Sequence, residues 1–92
     1  DLGVTLGGDP SRPIEQLAPI LPLMEPFHRR YMGSGKVLKL WSAMVEQLPI
    51  RMIVPQHGAP LIGAAIPAFL EWVKALDCGI DLVGPAHYRL PA

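Results

Sequence analysis

Proline sets the grain of this sequence and leaves room for few long elements. Eleven prolines fall among 92 residues, and each removes a backbone donor and pushes the residue before it out of helical geometry. Pro19 and Pro22 interrupt the apolar stretch Ile14 to Glu25, which is therefore expected as broken helix or extended coil with short helical turns. Pro26 suits a first helical position and predicts a short helix over Phe27 to Met32, ended by Gly33-Ser34-Gly35. Pro49 and Pro55 bracket Ile50 to Val54, a short run with β-branched residues that reads as one strand. Pro60 and Gly63 then mark a loop, and residues 1–13, with Gly3, Gly7, Gly8 and the polar cluster Asp9 to Pro13, read as another.

Two stretches carry a clear helical period. Val37, Trp41, Met44, Val45 and Leu48 recur at three- and four-residue steps between Lys36 and Leu48, while Lys39, Ser42 and Glu46 fall on the other side. The first group is the expected core face, with Ser34 as N-cap and Pro49 as the stop. Pro67 opens a second helix whose expected core face is Ile66, Phe69, Leu70 and Val73, and Gly79 is the expected left-handed terminator after Leu76-Asp77-Cys78. Ile80 to Val83 is expected as a last short strand or a cap. Residues 1–83 thus form one unit and 84–92 a tail or the start of a linker. The order is loop, helix, helix, strand, histidine loop, helix, which is half of an α/β layer arrangement.

Composition says what such a half lacks. Half of the residues are hydrophobic and 17% are charged, at a mean hydropathy of +0.29, which is more apolar material than a small domain easily hides. The expectation is a marginal fold with a missing partner, cut from something longer, since the chain opens at Asp1 without a methionine. Eight basic and eight acidic residues balance to zero net charge, giving no electrostatic footprint for nucleic acid or an anionic membrane. No apolar run reaches the roughly 18 residues of a membrane-spanning helix. Cys78 has no intramolecular partner and no secretory leader opens the chain, so a reducing cytoplasmic setting is expected.

Few residues are placed for chemistry. His57 follows the expected strand in a turn made by Pro55 and Gly58, where α/β proteins tend to place reactive side chains. By spacing alone a histidine there is more often a hydrogen-bonding turn residue than a metal ligand, and both readings stand. Asp1, followed by Leu2-Gly3, is either a carboxylate able to bridge two metals or a solvated terminal acid. His28 and His87 lack a ligand partner at a metal-binding spacing and are expected on the surface. Tyr31 and Trp41 are expected as core or interface aromatics, and Cys78 as a small buried hydrophobe. Gly7-Gly8 has neither the spacing nor the following helix of a phosphate-binding loop.

The segment Arg30-Tyr31-Met32-Gly33-Ser34, the helix over Lys36 to Leu48, the strand Ile50 to Val54, Pro55-Gln56-His57-Gly58 and the helix ending in Leu76-Asp77-Cys78-Gly79 follow one another in a telling order. This arrangement resembles the C-terminal third of oxygen-binding di-iron domains, relatives of the flavodiiron proteins within the metallo-β-lactamase superfamily. Its sharpest part is Tyr31-Met32-x-Ser34 followed by Pro55-Gln56-His57-Gly58. The resemblance implies that His57 is the last metal ligand and that Asp1 is the aspartate bridging the two metals. The family's upstream His-x-Glu-x-Asp-His motif does not occur in these residues, so Asp1 and His57 would be a minority of the ligands.

What the resemblance implies for the fold is an α/β C-terminal fragment of a four-layer αββα metallo-β-lactamase sandwich, with helices covering one or two short strands. The implied cofactor is a pair of metal ions, iron favoured over zinc, with no flavin site in this chain. The implied activity is dioxygen binding or reduction in redox metabolism or sensing; a zinc-dependent hydrolase of the same fold and a metal-free helical interaction module are the alternatives. The chain alone is expected to bind metal weakly, to catalyse nothing, and to associate with the missing N-terminal part of its domain or with further copies of itself.

Overall fold

The helix α3 (Ala65–Ala75) sits at the centre of the computed structural model, which describes residues 1–91. Ala65, Ile66, Phe69, Leu70 and Val73 all turn inward and are buried, as their period predicts. The helix begins two residues before Pro67, whose missing N–H costs nothing in a first turn where donors have no intrahelical partner. Lys74 in its last turn faces the negative end of the helix dipole. The ammonium also pairs with Glu46 and, at 3.1 Å, with Glu71, and these bonds raise its pKa.

Packed against α3 is α2 (Gly35–Val45), capped by Ser34, whose Oγ accepts from the Val37 amide at 3.5 Å. The buried face is not the one expected. Gly35, Leu38 and Ser42 are buried, Trp41 and Val45 are half-buried against the core, and Val37, Leu40, Met44 and Leu48 are exposed. Close approach decided the rotation. The Ser42 hydroxyl donates to the Leu70 carbonyl at 2.7 Å in the helix–helix contact, and the Gly35 N–H donates to Asp81 Oδ2 at 2.7 Å. Small residues at the contact let the helices come together where the larger apolar ones would hold them apart. The chain turns out of the helix over residues 46–48, before Pro49.

The first helix corrects a second expectation. A 3₁₀ turn over Ala18–Ile20 runs into α1 (Leu21–Tyr31), one continuous helix where broken structure was expected up to Glu25. Pro22 lies in its first turn, and only Pro26 forfeits an internal hydrogen bond. Burial of Met24 and His28, one turn apart on the inner face, compensates for that loss.

The expected strand survives as β1 (Met52–Ile53), paired antiparallel with β2 (Leu61–Ile62) in the register Met52 to Ile62 and Ile53 to Leu61. Residues 60–63 had read as loop, because two residues between Pro60 and Gly63 carry no period. They pair because Leu61 is fully buried and has neighbours on both sides. Ile14 forms a parallel bridge to Leu61, its N–H donating to the Pro60 carbonyl at 2.8 Å and its carbonyl accepting from Ile62 at 2.9 Å. The core gathers Leu17, Met24, Leu38, Leu61, Phe69, Val73, Leu76 and Cys78 under α1 and α3.

Gly79 has the expected positive φ, 56°, but it lies beyond the helix end and does another job. It bridges to Ser34, and a Cβ there would run into the Met32 and Gly33 carbonyls. Residues Ile80–Leu82 form a 3₁₀ turn, as do Pro85–Tyr88, so no strand follows Gly79 among the described residues. The tail expected over residues 84–92 is this turn and irregular chain, its last residue outside those described. Burial and the nearby Asp81 and Asp77 push the Cys78 thiol up, in keeping with its apolar role. No helix among the described residues is long and apolar enough to cross a membrane.

Candidate metal centre

Two loops that are far apart in sequence meet at one rim. The turn opening the chain is closed by the Val4 amide donating to the Asp1 carbonyl at 3.2 Å, and Gly3, Val4 and Thr5 are buried beneath it. The second loop leaves β1 through buried Pro55 and returns through Ala59 to β2. Between them Gly58, at φ +100°, lies so close to Thr5 that a Cβ would stand 3.0 Å from its Oγ1 and 3.1 Å from its amide nitrogen. Only glycine accommodates both the backbone angle and that approach.

On this frame the two sequence candidates touch. Asp1 Oδ2 lies 2.7 Å from His57 Nδ1, and the His57 backbone N–H donates to Asp1 Oδ1 at 3.2 Å. A carboxylate can only accept, so Nδ1 carries the proton and, in the neutral ring, Nε2 keeps its lone pair. The Asp1 side chain is 15% exposed and that of His57 75%, so the ring extends from the rim with Nε2 unengaged. A histidine whose Nδ1–H is fixed by a carboxylate is oriented for metal binding through its other nitrogen. The carboxylate retains further lone pairs of its own. The two residues therefore fit a first-row metal in kind, one carrying a nitrogen donor and the other oxygen donors. Among the described residues no third His, Cys, Asp or Glu joins them in a group able to hold a metal. The open cleft lined by Gly7, Asp9, Arg12 and Glu15 contains neither.

His28 was expected on the surface and is fully buried. Its ring bridges two backbone groups: Nδ1 lies 2.7 Å from the Met24 carbonyl oxygen and Nε2 accepts from the Gly3 N–H at 2.8 Å. Those partners fix the neutral tautomer with the proton on Nδ1. Burial pushes its pKa down, against the upward pull of the Met24 bond. The ring stands edge-on to Phe27, Phe69 and Trp72. The signal that would have found it is the helical step through Leu17, Leu21, Met24 and His28, hidden when Pro26 is taken as a helix start. His87 is exposed as expected. Trp41 is half-buried, whereas Tyr31 is 64% exposed beneath the Arg30 guanidinium and belongs to no core.

A family profile described as ODP family beta lactamase matches residues 1–58, the stretch that contains both Asp1 and His57. The chain belongs to this ODP family. Two solved structures are similar to it. One, described as a peroxy diiron species of the chemotaxis sensor ODP, is 40% identical with a TM-score of 0.81, over 88% of this chain and 35% of its own. The other, the apo state of the chemotaxis sensor ODP from T. denticola, is 38% identical with a TM-score of 0.80, over 89% of this chain and 34% of its own. This chain thus spans about a third of the ODP chains it matches, and its helices and two-stranded sheet correspond to part of their β-lactamase-like fold. A comparison with curated proteins found no match.

Proposed function

We propose that this chain is the C-terminal portion of a di-iron domain that binds dioxygen for sensing or redox metabolism, with His57 and Asp1 among its metal ligands. The observation that carries the reading is the contact between Asp1 and His57 across 56 positions of sequence, 2.7 Å from carboxylate to ring. Pairing of two ligand-type side chains on separately built loops concentrates donors at one rim, and the similar sensor is described as a di-iron species. When bound, the metal pair supplies coordination positions and electrons for dioxygen. Its remaining ligands would come from the N-terminal part of the same αββα sandwich, the partner that residues 1–83 are built to meet.

In that setting His57 would offer a ring nitrogen and Asp1 its carboxylate oxygens to the metal pair. A carboxylate bonded to Nδ1 lies across the ring from Nε2, so the Asp1 oxygens would exchange that hydrogen bond for the metal. The lone cysteine, buried and inert, fits a cytoplasmic setting. The test is elemental analysis of the full-length protein and of its His57→Ala variant. Two irons per chain are expected in the first, with metal lost in the second while its circular dichroism is unchanged. Two zincs would move the assignment to a hydrolase of the same fold. Unchanged metal in His57→Ala would remove His57 from the ligand set.

A further inference from the structure

We infer that His28 is a positioning residue for the Asp1 turn, acting through the Gly3 amide to hold the Asp1 carboxylate where it meets His57. The inference deepens the metal-binding reading and rests on it. Its basis is three short contacts at the two ends of one turn: Met24 carbonyl to His28 Nδ1 at 2.7 Å and His28 Nε2 to Gly3 N at 2.8 Å on one side, and Asp1 Oδ2 to His57 Nδ1 at 2.7 Å on the other. Gly3 and Asp1 belong to one turn, which the Val4 to Asp1 backbone bond closes.

A bland core role would not select this residue. His28 is fully buried among Phe27, Phe69 and Trp72, a place where a phenylalanine would give the same apolar burial without desolvating two nitrogens. The imidazole adds a rigid, planar bridge whose two nitrogens join backbone atoms of two separate segments. One nitrogen is anchored one turn back on its own helix, so the ring cannot swing, and the other receives the Gly3 N–H. That amide is buried, and without His28 it would be left unpaired beside the ligand or would rotate away and carry Asp1 with it. No ionised group takes part: both bonds belong to the neutral ring.

The experiment uses the full-length protein and three variants: His28→Phe, which keeps the packing and removes both nitrogens; His28→Gln, which keeps an acceptor for Gly3; and Val73→Ala, a buried core change on α3 that removes none of these hydrogen bonds. Iron(II) affinity is measured beside the melting temperature. His28→Phe is expected to weaken iron binding roughly 10–100-fold, the scale found when a group supporting a ligand is removed. His28→Gln should recover most of the affinity, and Val73→Ala should melt lower with its iron affinity unchanged.

Equal affinity in wild type and His28→Phe, or a loss in Val73→Ala as large as in His28→Phe, would make His28 an ordinary core residue. Should His28→Phe fail to fold, a through-bond nitrogen–nitrogen coupling between the Gly3 amide and His28 Nε2 decides in the wild type, and its absence overturns the inference. A wild type that binds no iron would sink the metal reading instead. In that case the hydrogen-bonded His57 Nδ1–H resonance, kept in Val73→Ala and lost in His28→Phe, would still establish the positioning.

Discussion

The contact between α2 and α3 and the rim where Asp1 meets His57 are built by different means. Between the helices, Leu38, Leu70 and Val73 bury apolar surface, and one buried hydroxyl, Ser42 to the Leu70 carbonyl, ties the backbones together. The rim also buries Val4 and Ala59 and lays Leu2 against the core, but those contacts do not align the Asp1 and His57 side chains. Their geometry comes from a few long-range hydrogen bonds, one from Gly3 to His28 across 25 positions and two from His57 to Asp1 across 56, and from the close approach of Gly58 to Thr5. A truncated side chain in the helical layer costs stability, because the cavity closes only partly, yet the many remaining weak contacts keep the helices in place. The alignment of Asp1 with His57 has no such redundancy. Losing one partner leaves a donor without an acceptor or frees a turn, and the alignment of the pair goes with it.

The largest effect is expected at Phe69, fully buried on α3. Phe69→Ala should lower the unfolding free energy of the full-length protein by about 3–5 kcal/mol, read from denaturant titration. A loss below about 1 kcal/mol would mean that α3 is not the centre of the core.

At the rim, Gly58→Ala should cost less, about 1–3 kcal/mol for a positive φ imposed on a side chain. Its effect should be concentrated locally, with the Asp1–His57 hydrogen bond weakened in the spectrum of the His57 ring before any core resonance shifts. Core and rim resonances moving together would erase the distinction between the two regions.

The smallest effect concerns pH. The fold holds His28 neutral by burying it, so its pKa is below the ordinary 6.5, and the unfolded chain binds more protons on acidification. The stability this confers is present above about 6.5 and is lost as pH falls through the lower folded value. Denaturation midpoints should therefore decline more steeply between neutral and mildly acidic pH in the wild type than in His28→Gln. Parallel profiles would show that His28 does not titrate with unfolding.

Much of α3 could be read directly from the sequence. Ile66, Phe69, Leu70 and Val73 form a stripe so regular that the buried face follows from its period. α2 reads as a helix with the right cap, yet its period points to the wrong inward face: Val37, Met44 and Leu48 are exposed, and the small residues Gly35 and Ser42 take the contact. In α1 the prolines break less than their number suggests, since Pro22 falls where a missing donor costs nothing and Pro26 forfeits one bond that burial of Met24 and His28 offsets. β2 was invisible because a two-residue strand carries no period and exists only through its neighbours Ile53 and Ile14.

For the candidate centre, Pro55-Gln56-His57-Gly58 and the Asp1-Leu2-Gly3 opening named the two residues before any coordinates did, through resemblance and residue type. Their meeting could not be read from those motifs, because a contact across 56 positions depends on how both loops are seated on the core. The sequence by itself determined that α2 and α3 are helical, which apolar stripe α3 buries, and which side chains have metal-binding chemistry, because these depend on neighbours within a few residues along the chain. Tertiary structure alone decided the rotation of α2, the pairing of β2, the burial of His28 and the joining of Asp1 to His57. Each of these depends on how closely distant backbones can approach and where their buried N–H and carbonyl groups find partners, and no local pattern records that.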